Sequence, residues 1–218
     1  DISGVLQVGL SDQSYRRIDY FDQPNNVESD KHHQNGGYIK GGGNYNINEQ
    51  HNAFFNVGYI SRQPNLDAIF PNCANNINND AENENIYSVE LGYGFRSAIL
   101  NANVNLYRTS WGNRFVSRSV DLTGGAEGTA NYSGIEQLHK GIEIELMSRP
   151  IAPLRLTGMM SIGDWKYKDN VEASVFDDNQ NLLGTSTLYL EDVKVGDAAQ
   201  FTANIGADYT IIKNFSVN

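Results

Sequence analysis

The chain has 218 residues, enough for one all-β domain, and a formal net charge of −10 with only 16 Lys and Arg residues. So few basic residues cannot form a stripe along a phosphate backbone, and the sequence predicts no nucleic-acid binding. Cys73 is the only cysteine, which excludes an internal disulfide and a thiolate metal cluster. No apolar run approaches the roughly 18 residues of a membrane helix. The mean hydropathy of −0.47 does not exclude a membrane barrel, because barrel strands hide their apolar residues in alternation.

The first part of the chain alternates between apolar and polar residues, as strands with two different faces do. Three strands are predicted here, with the apolar sets Leu6, Val8 and Leu10; Ile39, Tyr45 and Ile47; and Ala53, Phe55, Val57 and Tyr59.

Residues 85–111 predict two long antiparallel strands joined by a tight turn. Their apolar sets are Tyr87, Val89, Leu91, Tyr93 and Phe95, and then Ala98, Leu100, Ala102, Val104 and Leu106. Each alternation lasts about ten residues, the length that a tilted strand needs to cross a bilayer. The residues between them, including Glu90 and Arg96, suit a water-filled lumen. A soluble β-sandwich is the alternative for this hairpin taken alone.

The last third of the chain predicts three further spanning strands and one shorter hairpin. The apolar sets of the spanning strands are Ile142, Ile144 and Leu146; Leu154, Leu156, Met160 and Ile162; and Ala199, Phe201, Ala203, Ile205, Ala207, Tyr209 and Ile211. V-E-A-S-V-F and L-L-G-T-S-T-L-Y-L predict a hairpin that rises beyond the membrane. The chain thus contains about eight spanning strands. Its strand-like beginning and end predict that residues 1–218 are one partial barrel domain of a longer protein.

The connections between the predicted strands alternate strictly between long and short. The long stretches are 12–35, 62–84, 112–137 and 166–197, and the short turns lie near Glu49, Ser97, Ile151 and Lys213. Outer-membrane barrels have short periplasmic turns and long extracellular loops. The pattern therefore predicts an antiparallel transmembrane β-barrel whose four long stretches are extracellular. Tyr59 and Tyr87 then lie towards the outer interface, and Tyr45, Phe95 and Tyr209 lie towards the inner one.

Several strings resemble the late barrel of TonB-dependent outer-membrane receptors. They are Y-S-V-E-L-G-Y at 87–93, Y-R-T-S-W at 107–111 and K-G-I-E-I-E at 140–145. The resemblance spans nearly the whole chain, and its motifs mark barrel strands rather than a ligand. It implies a barrel of about 22 strands around an N-terminal plug domain. It also implies energised uptake through the inner-membrane TonB system and, in some branches, a surface lipoprotein partner. The plug, the TonB-contacting segment and the final strand are not among these residues.

No catalytic motif, cofactor-binding motif or complete metal site is found in the sequence. Glu143 and Glu145 lie about 7 Å apart on one strand face and are interpreted as lumen charges paired with basic side chains on neighbouring strands or on the plug. His32 and His33 are adjacent in a predicted loop without a third ligand. Residues 177–181 begin like a calcium loop, but Leu182 replaces the required glycine, so a hairpin tip is favoured.

The predicted outer loops contain aromatic and arginine side chains that we expect to be exposed. Loops at a barrel mouth are where a receptor meets its ligand. Aromatic faces suit sugars or chelator rings, and arginine suits carboxylates. The candidate ligand contacts are Tyr15, Arg16, Arg17, Tyr20, Phe21, Phe70, Trp111, Arg114 and Phe115.

The predicted function is uptake of a scarce nutrient, such as an iron chelate or an oligosaccharide, across the outer membrane. The chain is not expected to be an enzyme. Two alternatives remain open: a small closed outer-membrane barrel with a structural or adhesion role, and a soluble carbohydrate-binding β-domain. The first requires the strands to close on themselves. The second requires an apolar core between two sheets.

Overall fold

The computed structural model describes residues 1–20, 27–196, 198–213 and 215–217, and these residues are almost entirely β-structure. The helical segments in these ranges are α1, Leu66–Ile69, and a single 3-10 turn at Pro71–Cys73. No described helix is long and apolar enough to cross a membrane. The strands are β1 Ile2–Tyr15, β2 His32–Asn46, β3 His51–Arg62, β4 Glu84–Arg96, β5 Leu100–Asp121, β6 Glu127–Ile151, β7 Leu154–Tyr167, β8 Val171–Asp177, β9 Leu182–Leu188, β10 Phe201–Ile212 and β11 Phe215–Val217.

The eleven strands of the described residues belong to one antiparallel sheet in which spatial order follows chain order. The main path runs β1-β2-β3-β4-β5-β6-β7-β10-β11, and β8 pairs with both β6 and β9. This arrangement confirms the predicted all-β antiparallel architecture. Because β1 and β11 are the two edges of the path, these residues form an open wall and not a small closed barrel.

One face of the sheet is apolar over a band that crosses six strands. The register places side by side Phe55, Leu91, Leu106, Ile142, Ile162 and Phe201. We call this side the apolar face and the opposite side the polar face. Leu91 is 55% exposed and Phe201 is 61% exposed. The alternative of a soluble β-domain is therefore wrong for the described residues, because its apolar core would be buried between two sheets.

Aromatic side chains lie at both ends of the apolar face. Tyr59 and Tyr87 are cross-strand partners with ring centroids 4.7 Å apart, near the ends from which the long connections leave. We call this side of the wall the loop end. Tyr45, Phe95 and Tyr209 lie near the short turns, at what we call the turn end. The two sets match the aromatic belts that barrel proteins place at the two membrane interfaces.

The stretch predicted as a loop at 112–137 is a β-hairpin. β5 continues to Asp121 and β6 starts at Glu127, so only residues 122–126 connect them. The register shifts on both sides of Arg114, and these shifts interrupt the strict alternation from which strands were predicted. Likewise, β1 continues to Tyr15 and β2 starts at His32, so the first long connection is shorter than 12–35.

The predicted hairpin within 166–197 is confirmed by the pairing of β8 with β9. Asp177 closes its tip, since its two carboxylate oxygens accept hydrogen bonds from the Asn181 backbone N–H at 2.8 Å and the Asn181 side chain at 3.0 Å. Residues 177–181 are therefore a hairpin tip, as favoured over a calcium loop. His32 and His33 lie in β2 rather than in a loop, and they have separate partners, Gln34 and Asp12.

The loop between β3 and β4 is folded around a small core. Ile69 and Phe70 of this loop pack against Tyr15 at the end of β1. The Tyr15 hydroxyl donates a hydrogen bond to the Pro64 carbonyl at 2.7 Å. The side chain of Asn65 caps α1 by accepting a hydrogen bond from the backbone N–H of the third residue of the turn at 3.0 Å. Buried apolar contacts and a cap of this kind order a loop that has little regular structure.

Candidate functional site

Aromatic side chains gather on the polar face at the loop end of β5, β6 and β7. His139 of β6 lies between Thr109 of β5 and Trp165 of β7 in the register. Its ring stacks on the Trp165 ring with centroids 5.3 Å apart and an interplanar angle of 27°. The Trp165 indole N–H donates a hydrogen bond to the Tyr107 hydroxyl at 2.9 Å. We call Tyr107, Trp111, His139 and Trp165 the aromatic wall.

Two glycines leave the space that the aromatic wall occupies. A Cβ at Gly141 would lie 2.5 Å from the Tyr107 hydroxyl, and one at Gly163 would lie 2.7 Å from the Trp165 indole nitrogen. Real Cβ atoms do not approach other atoms so closely. The hydrogen bond between Tyr107 and Trp165 therefore depends on the absence of side chains at these two positions.

Trp111 is held by an acid and two arginines. Its indole N–H donates to a carboxylate oxygen of Glu84 at 3.0 Å, and the same oxygen accepts from Nε of Arg62 at 3.1 Å. The Arg114 guanidinium lies 4.2 Å from the Trp111 ring centroid, and that of Arg62 lies 5.4 Å away. Both distances are within the range of cation–π attraction. The indole is thereby fixed in position.

The side chain of Arg114 has no hydrogen-bonding partner in the described part of the chain. Its Nε is buried and unsatisfied, and it forms no ion pair there. A buried N–H without an acceptor is unfavourable, and a guanidinium provides five donors in a fixed planar arrangement. Arg114 can therefore bind a carboxylate or another oxyanion beside the Trp111 ring without breaking an existing hydrogen bond.

The predicted exposure of Tyr15 and Phe70 is wrong. Tyr15 is 4% exposed and Phe70 is 2% exposed, because both rings form the core of the folded loop. Burial also raises the pKa of the Tyr15 hydroxyl. In this structure the two rings stabilise the loop and present almost no surface to a ligand.

The other predicted contacts lie apart from one another. Arg16 forms an ion pair with Glu28. Arg17 donates to Asp19 at 3.1 Å and to the Asn75 side chain at 2.8 Å, which ties the first long connection to the second. Tyr20 is 64% exposed, and Phe21 lies outside the described residues. Phe115 is half-buried and lines a small depression next to Ala81. Of the nine predicted residues, the structure brings Trp111 and Arg114 together at the aromatic wall, and Tyr15 and Phe70 together in the loop core.

Sequence analysis missed Tyr107, His139, Trp165, Arg62 and Glu84. The rings of Tyr107, His139 and Trp165 could have been found from their positions in the apolar–polar alternation of their strands. All three occupy polar-face positions, where an aromatic side chain gains nothing from lipid contact. Glu84 and Arg62 are cross-strand partners, and only the register reveals this.

The polar face continues from the aromatic wall into a groove. Across β5 to β1, the register that contains His139 continues through Thr109, Ser88, Gly58, Lys40 and Gln7. The last five of these residues, from Thr109 to Gln7, line a depression of about 480 Å³. The polar face thus offers stacking and anion-binding groups next to a groove of mixed lining, with hydroxyl, amide, amine and carboxylate groups beside the aliphatic side chains of Ile60 and Ile86. In the described ranges, no three His, Cys, Asp or Glu side chains are grouped to hold a metal ion.

Comparison with known proteins identifies the fold family. Residues 6–217 match the family model described as "TonB dependent receptor-like, beta-barrel". No curated protein matches the sequence. Among solved structures, a chain named "Copper transporter OprC" superposes with a TM-score of 0.58 at 12% sequence identity, covering 98% of this chain and 38% of that one. At this identity the likeness shows the fold alone, and this chain spans well under half of that protein. Because the family model covers nearly every residue, the chain belongs to the TonB-dependent receptor family, as part of its outer-membrane β-barrel domain.

Proposed function

We propose that this chain is the late barrel wall of a TonB-dependent receptor that imports a scarce nutrient across the outer membrane. In the proposed orientation the loop end faces the outside and the turn end faces the periplasm. The apolar face then contacts lipid and the polar face lines the lumen. Family membership and the contrast between long and short connections support this reading.

The observation that carries the proposal is the free guanidinium of Arg114 beside the aromatic wall. Aromatic faces stack on sugar or chelator rings, and arginine forms paired hydrogen bonds with carboxylates. A solute that combines a ring with a negative group fits both features. We infer that the ligand is of this class, for example an iron chelate that carries carboxylates or an acidic oligosaccharide.

Unpaired polar groups further down the polar face support the presence of a plug. Glu143 and Glu145 are exposed and form no ion pair among the described residues, and the buried Asn105 side-chain oxygen lacks a donor there. A plug domain in the lumen would supply basic and N–H groups to satisfy them. The TonB system would then act on that plug to open a path. A surface lipoprotein at the loop end would be a further partner.

The experiment is uptake and binding by the full-length parent receptor. We expect Arg114→Gln to weaken binding of the transported solute by about ten-fold, since a charged hydrogen bond contributes about 1.5 kcal/mol or more. Trp165→Ala should also weaken binding. The matched controls are Arg149→Gln at the turn end of β6 and Tyr209→Ala on the apolar face, and both should leave binding unchanged.

Dependence on energy is tested in cells that lack TonB. Uptake should stop in these cells while surface binding persists. Uptake that continues without TonB would contradict the proposed function. Equal loss of binding in Arg114→Gln and Arg149→Gln would contradict the proposed site but not the transport function.

A further inference from the structure

Two cations lie on the apolar face where its apolar band ends. In β5, β6 and β7 the row of Leu106, Ile142 and Ile162 is followed, two residues towards the loop end, by a row of Arg108, Lys140 and Asp164. Both rows point to the same side, because side chains alternate with a period of two. Charged side chains are costly on a lipid-facing surface, except near the interface. Arg108 and Lys140 therefore mark the level at which the hydrocarbon ends.

Arg108 and Lys140 are directly opposite each other in the antiparallel pairing of β5 with β6. Like charges at directly opposed positions destabilise a sheet. The positive charge of Lys140 is partly neutralised by Asp164, whose carboxylate lies 3.3 Å from the Lys140 ammonium. Arg108 is exposed and has no hydrogen bond or ion pair with any described residue. The pair therefore holds one positive charge that the described protein does not neutralise.

The neighbouring lysines do not share this excess. Lys166 pairs with Asp192 at 3.3 Å, and Lys168 pairs with Glu136. The hydrogen bond to Glu136 raises the pKa of Lys168, and the nearby charge of Arg108 opposes that rise. Each lysine at this rim thus has its own carboxylate, and Arg108 is the cation that has none. An anion that pairs with Arg108 must therefore come from outside the described residues.

The corresponding positions on the neighbouring strands are apolar. The partner of Arg108 on β4 is Val89, and the partner of Val89 on β3 is Val57. If the wall attracted anionic lipids non-specifically, we would expect its cations to be distributed over many strands. Here the cations of the first charged row, Arg108 and Lys140, lie on two adjacent strands directly above an apolar strip that suits acyl chains. This arrangement fits one lipid molecule at a defined place.

We propose that Arg108 and Lys140 together bind a phosphate group of an outer-leaflet glycolipid, with its acyl chains lying along Leu106, Ile142 and Ile162. The Arg108 guanidinium provides a planar pair of donors. The Lys140 ammonium, which Asp164 neutralises only in part, provides further N–H donors, and both groups suit a phosphate. The inference takes the orientation of the wall from the proposed function. It does not depend on the transported solute or on the aromatic wall.

The test is native mass spectrometry of the full-length parent receptor, titrated with lipid A that bears two phosphates and with the same lipid after removal of its phosphates. A cation near the membrane surface contributes roughly 1 kcal/mol to binding an anionic lipid, which corresponds to about five-fold in affinity. We expect Arg108→Gln to weaken binding about five-fold, and the double variant Arg108→Gln, Lys140→Gln to weaken it by more than ten-fold. The control Arg118→Gln replaces another exposed arginine of β5, outside the apolar band, and should have no effect.

The phosphate-free lipid should bind the wild-type receptor and the double variant equally weakly. Lipid A binding that is unchanged in the double variant would overturn the proposal. Full displacement of lipid A by an equal concentration of inorganic phosphate would also overturn it, because the site would then recognise free phosphate and not a lipid. Uptake is measured separately: TonB-dependent uptake by the double variant leaves the proposed function standing, whatever the lipid result.

Discussion

The carboxylate of Glu84 offers a quantitative test of how the loop end of β4 and β5 is stabilised. Its side chain is 8% exposed, and one of its oxygens accepts both the Trp111 indole N–H and Nε of Arg62. The substitution Glu84→Ala removes both contacts at once. A buried hydrogen bond to a charged acceptor contributes about 1.5–3 kcal/mol. The ion pair with Arg62 adds less than about 1 kcal/mol, because the Arg62 side chain is 53% exposed and solvent screens it.

The expected total is about 2–3 kcal/mol of local stability at the loop end of β4 and β5. Each 1.4 kcal/mol corresponds to a factor of ten, so amide protection around Trp111 should fall by about 30-fold or more. Hydrogen–deuterium exchange with mass spectrometry on the full-length receptor measures this directly. Glu84→Gln keeps an acceptor oxygen and should lose distinctly less protection.

Glu90→Ala is the matched control, since Glu90 lies on the same strand and face and its side chain accepts, among the described residues, a single hydrogen bond, from Asn56 at 2.9 Å. It should change protection near Trp111 by less than three-fold, because exposed polar contacts contribute little. An equal loss of protection in the Glu84 and Glu90 variants would refute the reasoning. So would a Glu84→Ala variant whose protection matched the wild type.

Three further outcomes are expected in the same receptor. Gly163→Ala should break the hydrogen bond between Trp165 and Tyr107, lower the stability by about 1–3 kcal/mol and shift the tryptophan emission. The control Gly158→Ala should change neither the stability nor the emission, because the nearest atoms lie 4.0 Å from the added Cβ. Tyr15→Phe leaves the Pro64 carbonyl without its buried donor and should destabilise the loop core by about 1–3 kcal/mol in exchange experiments, while Tyr20→Phe should be neutral. Hydrogen bonds from the side chain and backbone of Asn181 lower the pKa of Asp177. Their stabilisation of the β8–β9 hairpin is therefore fully present above the ordinary pKa of about 4. It is lost as the pH falls through the lowered pKa of the folded state. Asp177→Asn should remove that acid sensitivity of the hairpin, as measured by exchange at a series of pH values.

Much of the wall was predictable because strands of outer-membrane barrels follow a simple rule: their lipid-facing positions are apolar. A period of two therefore identified the apolar band from Phe55 to Phe201 and the strands that carry it. The same alternation lapses towards the loop end. There β5 and β6 continue with mixed residues on both faces and with register shifts around Arg114, and a loop was predicted instead.

The candidate site was harder to predict because its contacts join residues far apart in the chain. Tyr107 and Trp165 meet across one intervening strand, and so do Arg62 and Trp111. Tyr15 was predicted to be exposed because polar residues surround it in the sequence. Its partners in the loop core, Pro64, Ile69 and Phe70, come only after β2 and β3 in the chain. Alternation reports which side a residue faces, but not which distant side chains share that side.

The neighbour-to-neighbour order of the sheet has a consequence for the way the wall assembles. Most strands pair with the strand that follows after a short turn or a modest loop, and loop closure is then rapid. The pairing of β7 with β10 differs, because the whole β8–β9 hairpin and its flanking segments lie between them in the chain. Contacts between residues distant in sequence form late. We therefore expect β10, together with its partner β11, to join the wall last, after β8 has docked on β6. The seam between β7 and β10 is then the place where a stalled or partly inserted barrel would remain open.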